Sequence, residues 1–178
     1  MKITLKQLTE WSACKEGVEL FKSKCGESVD LKKFAKIAIS LEKFDYAWWT
    51  IKHLLKKEQS VKIAIYTAEK VIDVFEKKYP NDDRPRKAIE AAKAWLKEPT
   101  GTNRAAAKAA ANAAANAADA ANAYDAAANA AYAAVYAAAA ANAADAANAA
   151  AAYATVYAAK TKLKTDILNY AIKVLVSK

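Results

Sequence analysis

Residues 104–120 read RAAAKAAANAAANAADA, and from Arg104 to Lys178 the chain has neither glycine nor proline. Between Ala105 and Ala159, 37 of 55 residues are alanine. Alanine is the best helix former, and this run lacks the charge and proline that hold disordered segments open. The segment therefore reads as helix. Polar residues Asn112, Asn116, Asp119, Asn122, Asp125 and Asn129 step by three or four, which places them in a drifting stripe along one side.

The nine-residue string ANAADAANA occurs twice, at 115–123 and 141–149. Two bulky clusters, Tyr132-Val135-Tyr136 and Tyr153-Val156-Tyr157, share i, i+3, i+4 geometry. One straight helix over 105–176 would be roughly 110 Å long at ~1.5 Å per residue. Compactness therefore predicts a reversal near 137–148 and an antiparallel alanine-rich hairpin. Asparagine and aspartate interrupt every apolar run too often for a membrane span. Their irregular steps also fit an ice-binding face poorly.

Upstream, the large apolar side chains concentrate in residues 3–96, with a second group at 163–176. The whole chain has three glycines and three prolines, too few turn signals for a many-stranded fold. Leu5, Leu8, Trp11, Val18 and Phe21 form one stripe, so a first helix capped by Thr4 or Thr9 is predicted to run to Gly26. Ser28 or Asp30 caps a second, with Leu31, Phe34, Ile37 or Ala38, and Leu41 facing inward. Asp45 caps a third, YAWWTIKHLLKK, with Phe44 stapled onto Trp49. Ser60 starts a fourth, which must stop at Tyr79 because Pro80 disfavours helix in the residue before it. PNDDRP is the clearest loop; Asp82 or Asp83 caps a fifth helix with Pro85 in its first turn. EPTGT then breaks the chain, with Thr102 or Asn103 as the next cap.

The expected fold is all-α: a multi-helix bundle or short helical solenoid. Residues 1–100 would form a domain of about five helices, and residues 101–178 the alanine-rich hairpin packed on it.

The formal charge of +9 is uneven. Residues 1–104 hold 22 Lys/Arg against 15 Asp/Glu, and the tail 160–178 holds five Lys against one Asp. Most lysines interleave with acids at helical spacing, the pattern of a solvated mixed-charge surface. Cys14 and Cys25 form no CxxC pair, and MKITLKQLTEW has no apolar signal-peptide core. Together these suit a cytoplasmic protein with free thiols.

Chemistry is sparse. His53 is the lone histidine, and IKHLL places it among apolar neighbours as a core or interface residue. Metal-ligand spacing and phosphate-binding glycine loops are missing, so neither a catalytic site, a metal nor a cofactor is expected. Aromatic residues Tyr46, Trp48, Trp49, Tyr66 and Tyr79 accompany Arg84, Arg86 and Lys87, the residue types that partner-binding surfaces favour. The structural alternative makes Arg86 and Glu90 an i, i+4 pair, Asp83 a cap and the tryptophans core.

At these residues a resemblance enters. ACKEGVELF, FDYAWWTIKHLL, AIYTAEKVIDVFEKKYPNDDRPRKAIEAAKAWL and NRAAA, followed by the alanine repeat, resemble the "putative immunity protein" family of bacteria and bacteriophages. The most specific stretch is EKKYPNDDRPRKAIEAA, through Tyr79, Pro80, Asp83, Arg84, Pro85, Arg86, Ile89 and Ala92. The resemblance implies a non-enzymatic protein that neutralises a toxin, or a host defence component, by stoichiometric binding. The contact residues expected are Tyr79, Asp83, Arg84, Arg86, Lys87 and Trp49. One alternative is an oligomeric sponge for a nucleotide second messenger, gripped by Arg84, Arg86 and tyrosines. Another is nucleic-acid binding, whose affinity would fall steeply with salt.

Overall fold

The computed structural model describes residues 1–120 and 161–177. Their contacts fall into two compact units, Met1–Leu54 with Leu168–Lys178, and Leu55–Ile167. The described residues form nine helices and one two-stranded ribbon, so the fold is helical as the sequence indicates. The proposed reversal at 137–148, both Tyr-Val-Tyr clusters and the second ANAADAANA copy lie outside the described residues.

In the first unit, β1 (Lys2–Thr4) pairs antiparallel with β2 (Ser28–Asp30), with Ile3 opposite Val29. Both of these side chains are buried. Strands of three residues are too short to show an alternation, so the sequence did not announce them. Gly26, at φ 72°, ends the preceding helix and turns the chain into β2.

The first predicted helix is two. α1 (Leu5–Glu10) starts at Thr4, whose hydroxyl accepts from Gln7 N–H while Gln7 Oε1 accepts from Thr4 N–H. α2 (Lys15–Cys25) follows a break at residues 11–14. The break is a Schellman turn: Ala13 N–H donates to Leu8 O and Ser12 N–H to Thr9 O. Ser12 takes the left-handed position at φ 59°, where glycine would have been the signal.

α3 (Leu31–Ser40), capped by Asp30, ends in the same way. Lys43 N–H donates to Ala38 O, Glu42 N–H donates to Ile39 O, and Glu42 sits at φ 55°. Leu41 falls at this turn and is 37% exposed, contrary to its inward placement in the sequence reading. α4 (Phe44–Lys52) begins one residue before Asp45, which sits in its first turn and is not its cap. His53 follows α4 and is exposed, so it is not a core histidine.

In the second unit, α5 (Lys57–Glu69) starts ahead of Ser60, because Gln59 Oε1 accepts from Lys56 N–H and closes the turn earlier. Ser60 and Thr67 are buried mid-helix, with hydroxyls donating to the carbonyls of Lys56 and Ile63. A break at Lys70–Val71 separates α6 (Ile72–Lys78). Val71 and Ile72, at this break, are both buried. Tyr79 ends α6 before Pro80 as expected.

α7 (Arg84–Lys97) has Pro85 in its first turn and buries Ala88, Ile89, Ala92 and Trp95. Residues 98–100 then reverse the chain, and α8 (Gly101–Ala120) packs extensively on α7. Its cap is Thr100, ahead of the predicted Thr102 or Asn103: Thr100 Oγ1 accepts from Asn103 N–H. Ala107, Ala111, Ala114 and Ala117 are buried, while Asn112 and Asn116 are exposed. The asparagine stripe is thus the wet side of this helix and alanine its seam. The described hairpin partner of the first alanine arm is α7.

α9 (Thr161–Val176) buries Ile167, Leu168, Ala171, Ile172, Val174 and Leu175 in one stripe at helical spacing. Its residues from Leu168 onward belong to the first unit.

Candidate functional site

The turn between α6 and α7, together with the first turn of α7, holds five of the six candidate residues. Pro80 stops one helix, Pro85 starts the next, and the intervening acids organise the loop. Asp82, not Asp83, makes the turn's side-chain bonds. Its Oδ1 accepts from Arg84 N–H at 3.2 Å and from Arg84 Nε at 2.8 Å, and its Oδ2 from Nη2 at 2.6 Å. Asp83 occupies the cap position without capping and pairs with Lys87 at 2.9 Å, both well exposed.

Arg86 does something different. Its Nε and Nη2 both donate to Glu76 at 2.7 Å, a two-pronged bridge from α7 back to α6. Asp73 lies 3.8 Å from the same guanidinium. The i, i+4 partner foreseen for Arg86, Glu90, instead accepts from Lys93 at 2.8 Å, and Lys93 also reaches Glu69 on α5 at 2.9 Å. Two-pronged arginine–carboxylate bonds favour the ionised acid. Arg86 accordingly holds the Glu76 carboxyl below its usual range, and Arg84 does the same to Asp82. Both arginines are raised in return.

Tyr79 is half-buried, its ring 5.0 Å from that of Phe75, with Lys78 Nζ 5.6 Å from its centroid. The surface formed is therefore a tyrosine edge beside paired charges of both signs. A phosphate would have to displace Asp82 or Glu76 before either arginine could grip it.

Trp49 does not join this group; it belongs to the first unit. Its ring meets Trp11 edge-on at 6.4 Å and lies 4.4 Å from His53, whose ring stacks on Trp11 at 5.0 Å. His53 Nδ1 is 2.7 Å from Trp49 O. The sequence reading missed this cluster because Trp11 is distant along the chain. It also missed Glu76, whose pairing with Arg86 could have been read from the tightness of a turn bounded by two prolines.

The comparisons with known proteins concern this second unit above all. The family described as Imm-5 like putative immunity protein matches residues 52–175. The chain belongs to that family. The matched span contains the whole α6–α7 turn with Tyr79 to Lys87, whereas Trp49 and everything before Lys52 fall outside it. Among curated proteins and solved structures, nothing matches the chain. Among the described residues, no helix is long and apolar enough to cross a membrane, and no three His, Cys, Asp or Glu side chains gather to hold a metal.

Proposed function

We propose that the chain is a non-enzymatic immunity protein that neutralises a toxin or a defence component by stoichiometric association. The contact surface of this reading is the α6–α7 turn: Tyr79, Asp83, Arg84, Arg86 and Lys87. The observation that carries it is membership of the immunity family through a segment in which this turn is the richest cluster of arginine and tyrosine. Arginine and tyrosine anchor interfaces because they combine apolar area with directional donors. Internal pairing of the two guanidinium groups lowers the ordering cost of binding, since the donors are already held in place. Trp49 is left out of the patch because it lies outside the matched family segment.

The test uses Arg84→Ala with Lys87→Ala, whose acidic partners Asp82 and Asp83 sit in the same loop. Arg86 is a poorer probe, since removing it also unties two helices. A partner captured on the tagged protein is titrated against the parent and the double variant. Binding should weaken by about tenfold or more, the hot-spot range, with helicity and Tm nearly unchanged. Equal affinity would remove this surface from the function. A matching loss of fold stability would make the residues structural.

A further inference from the structure

A groove of about 390 Å³ lies within the first unit, and its lining residues run from Leu8 to Thr50. All of them precede the family-matched segment. Three helix faces build it. α2 contributes Gly17, Leu20, Phe21, Lys24 and Cys25, which with its cap residue Cys14 form a stripe at helical spacing along its full length. α3 contributes Phe34, Ile37 and Ala38, with Leu41 from the turn after it, and α4 contributes Tyr46, Trp49 and Thr50. An eleven-residue helix measures roughly 16 Å at ~1.5 Å per residue, so the groove is long as well as apolar.

The two ends differ in charge. At the Cys14 end, Glu16 pairs with Lys43 at 3.6 Å, Lys43 lies 5.3 Å from the Tyr46 ring, and Asp45 is nearby. Lys43, the ammonium that lines this end, already has a carboxylate partner, and Asp45 lines the same end without one of its own among the described residues. At the Cys25 end stands Lys24, which makes no ion pair among the described residues. Lys33 of α3 acts on the Cys25 thiol there, opposing the upward push of burial. One end is thus basic and open, the other acidic, its ammonium already paired.

We propose that this groove binds a single-chain amphiphilic anion, with its apolar chain along α2 and its carboxylate at Lys24. The volume lies in the range of small-ligand pockets, and largely apolar walls with a few polar groups at the ends suit such a molecule. The charge gradient sets the direction: a carboxylate at the Asp45 end would meet like charge. Because the groove lies outside the matched segment, this binding stands or falls independently of the toxin-neutralising surface.

Calorimetric titration of the whole protein with sodium decanoate, 1-decanol and decylamine tests it. Decanoate should saturate at one equivalent, with decylamine weaker by about tenfold or more, the cost of one reversed charge contact. Ile37→Trp should obstruct the groove and abolish binding while the circular dichroism spectrum stays unchanged; Leu20→Trp serves the same purpose if that variant does not fold. Lys24→Glu should weaken decanoate and leave decanol unaffected. Equal affinity for decanoate and decylamine, binding without saturation, or full affinity in a folded groove-filled variant overturns the proposal. A dimer that Ile37→Trp dissociates would make the groove a self-interface, and would overturn it too.

Discussion

The helices around the groove, α2 to α4, and the α7–α8 hairpin solve the same packing problem with opposite materials. Around the groove the large apolar side chains are leucine, isoleucine and aromatic rings, and three helix faces meet without filling the space between them. In the hairpin, Ala107 and Ala114 are wholly buried against α7, whose own seam includes Ala88 and Ala92. Alanine seams let backbones approach at the near end of the ~8–10 Å helix spacing. Contact then comes from the helix cylinders themselves and leaves no volume to fill. Large side chains need jigsaw complementarity to reach the same density, and where it is incomplete a groove remains.

The contrast predicts the largest effect in the hairpin. Ala114→Leu, inserted into a closed seam, should cost about 1–3 kcal/mol through overpacking, read as a shift in urea midpoint. Leu20→Phe, which also adds three heavy atoms but beside the groove, should stay within about 0.5 kcal/mol, the range of substitutions that meet no packed neighbour. Comparable losses at both positions would erase the distinction.

Helix boundaries sharpen the comparison. In the second unit, residues that announce themselves mark helix boundaries: Pro80 the end of α6, Pro85 the start of α7 and Thr100 the start of α8. In the first unit, α1 and α3 end through Ser12 and Glu42 in left-handed conformations that glycine would occupy without strain. Thr4→Ala should remove the capping box of α1 and cost about 1 kcal/mol. Glu42→Gly has the opposite sign. It relieves a left-handed strain of about 1–2 kcal/mol, partly offset by the added freedom of the unfolded chain, so a gain of about 0.5 kcal/mol is expected in thermal melts.

The smallest effect is electrostatic. Glu76 and Asp82 have carboxyls held below their ordinary values by Arg86 and Arg84. A depressed acid contributes stability above its unfolded value, near 4, and loses it as pH falls through the lower folded value. Tm should therefore decline as pH drops below about 4, and Arg86→Ala should flatten part of that decline. An unchanged acid limb in the variant would mean that the Glu76 bridge contributes nothing to folding. The groove helices offer a control, since Lys43 and Glu16 form a more exposed single-pronged pair.

Much of this protein was legible in the chain. Helical periodicity, the scarcity of glycine and proline, and the alanine run were enough for an all-helical fold. Proline placed the α6–α7 turn, and three- and four-residue steps identified Asn112 and Asn116 as solvent-facing. These are local properties, set by backbone propensity and by which side of a helix meets water. What only tertiary structure decided was everything that depends on a distant partner. Arg86 chose Glu76 over its helical neighbour Glu90, because folding brought α6 within reach of a two-pronged bond. Ser12 and Glu42 end helices without a glycine to announce it, in left-handed turns closed by paired backbone bonds to Leu8 and Thr9 and to Ala38 and Ile39. The ribbon of β1 and β2 exists because Ile3 and Val29 are buried opposite each other. The groove, too, belongs to no single segment: three faces, each an ordinary amphipathic stripe by itself, enclose it only after they have met.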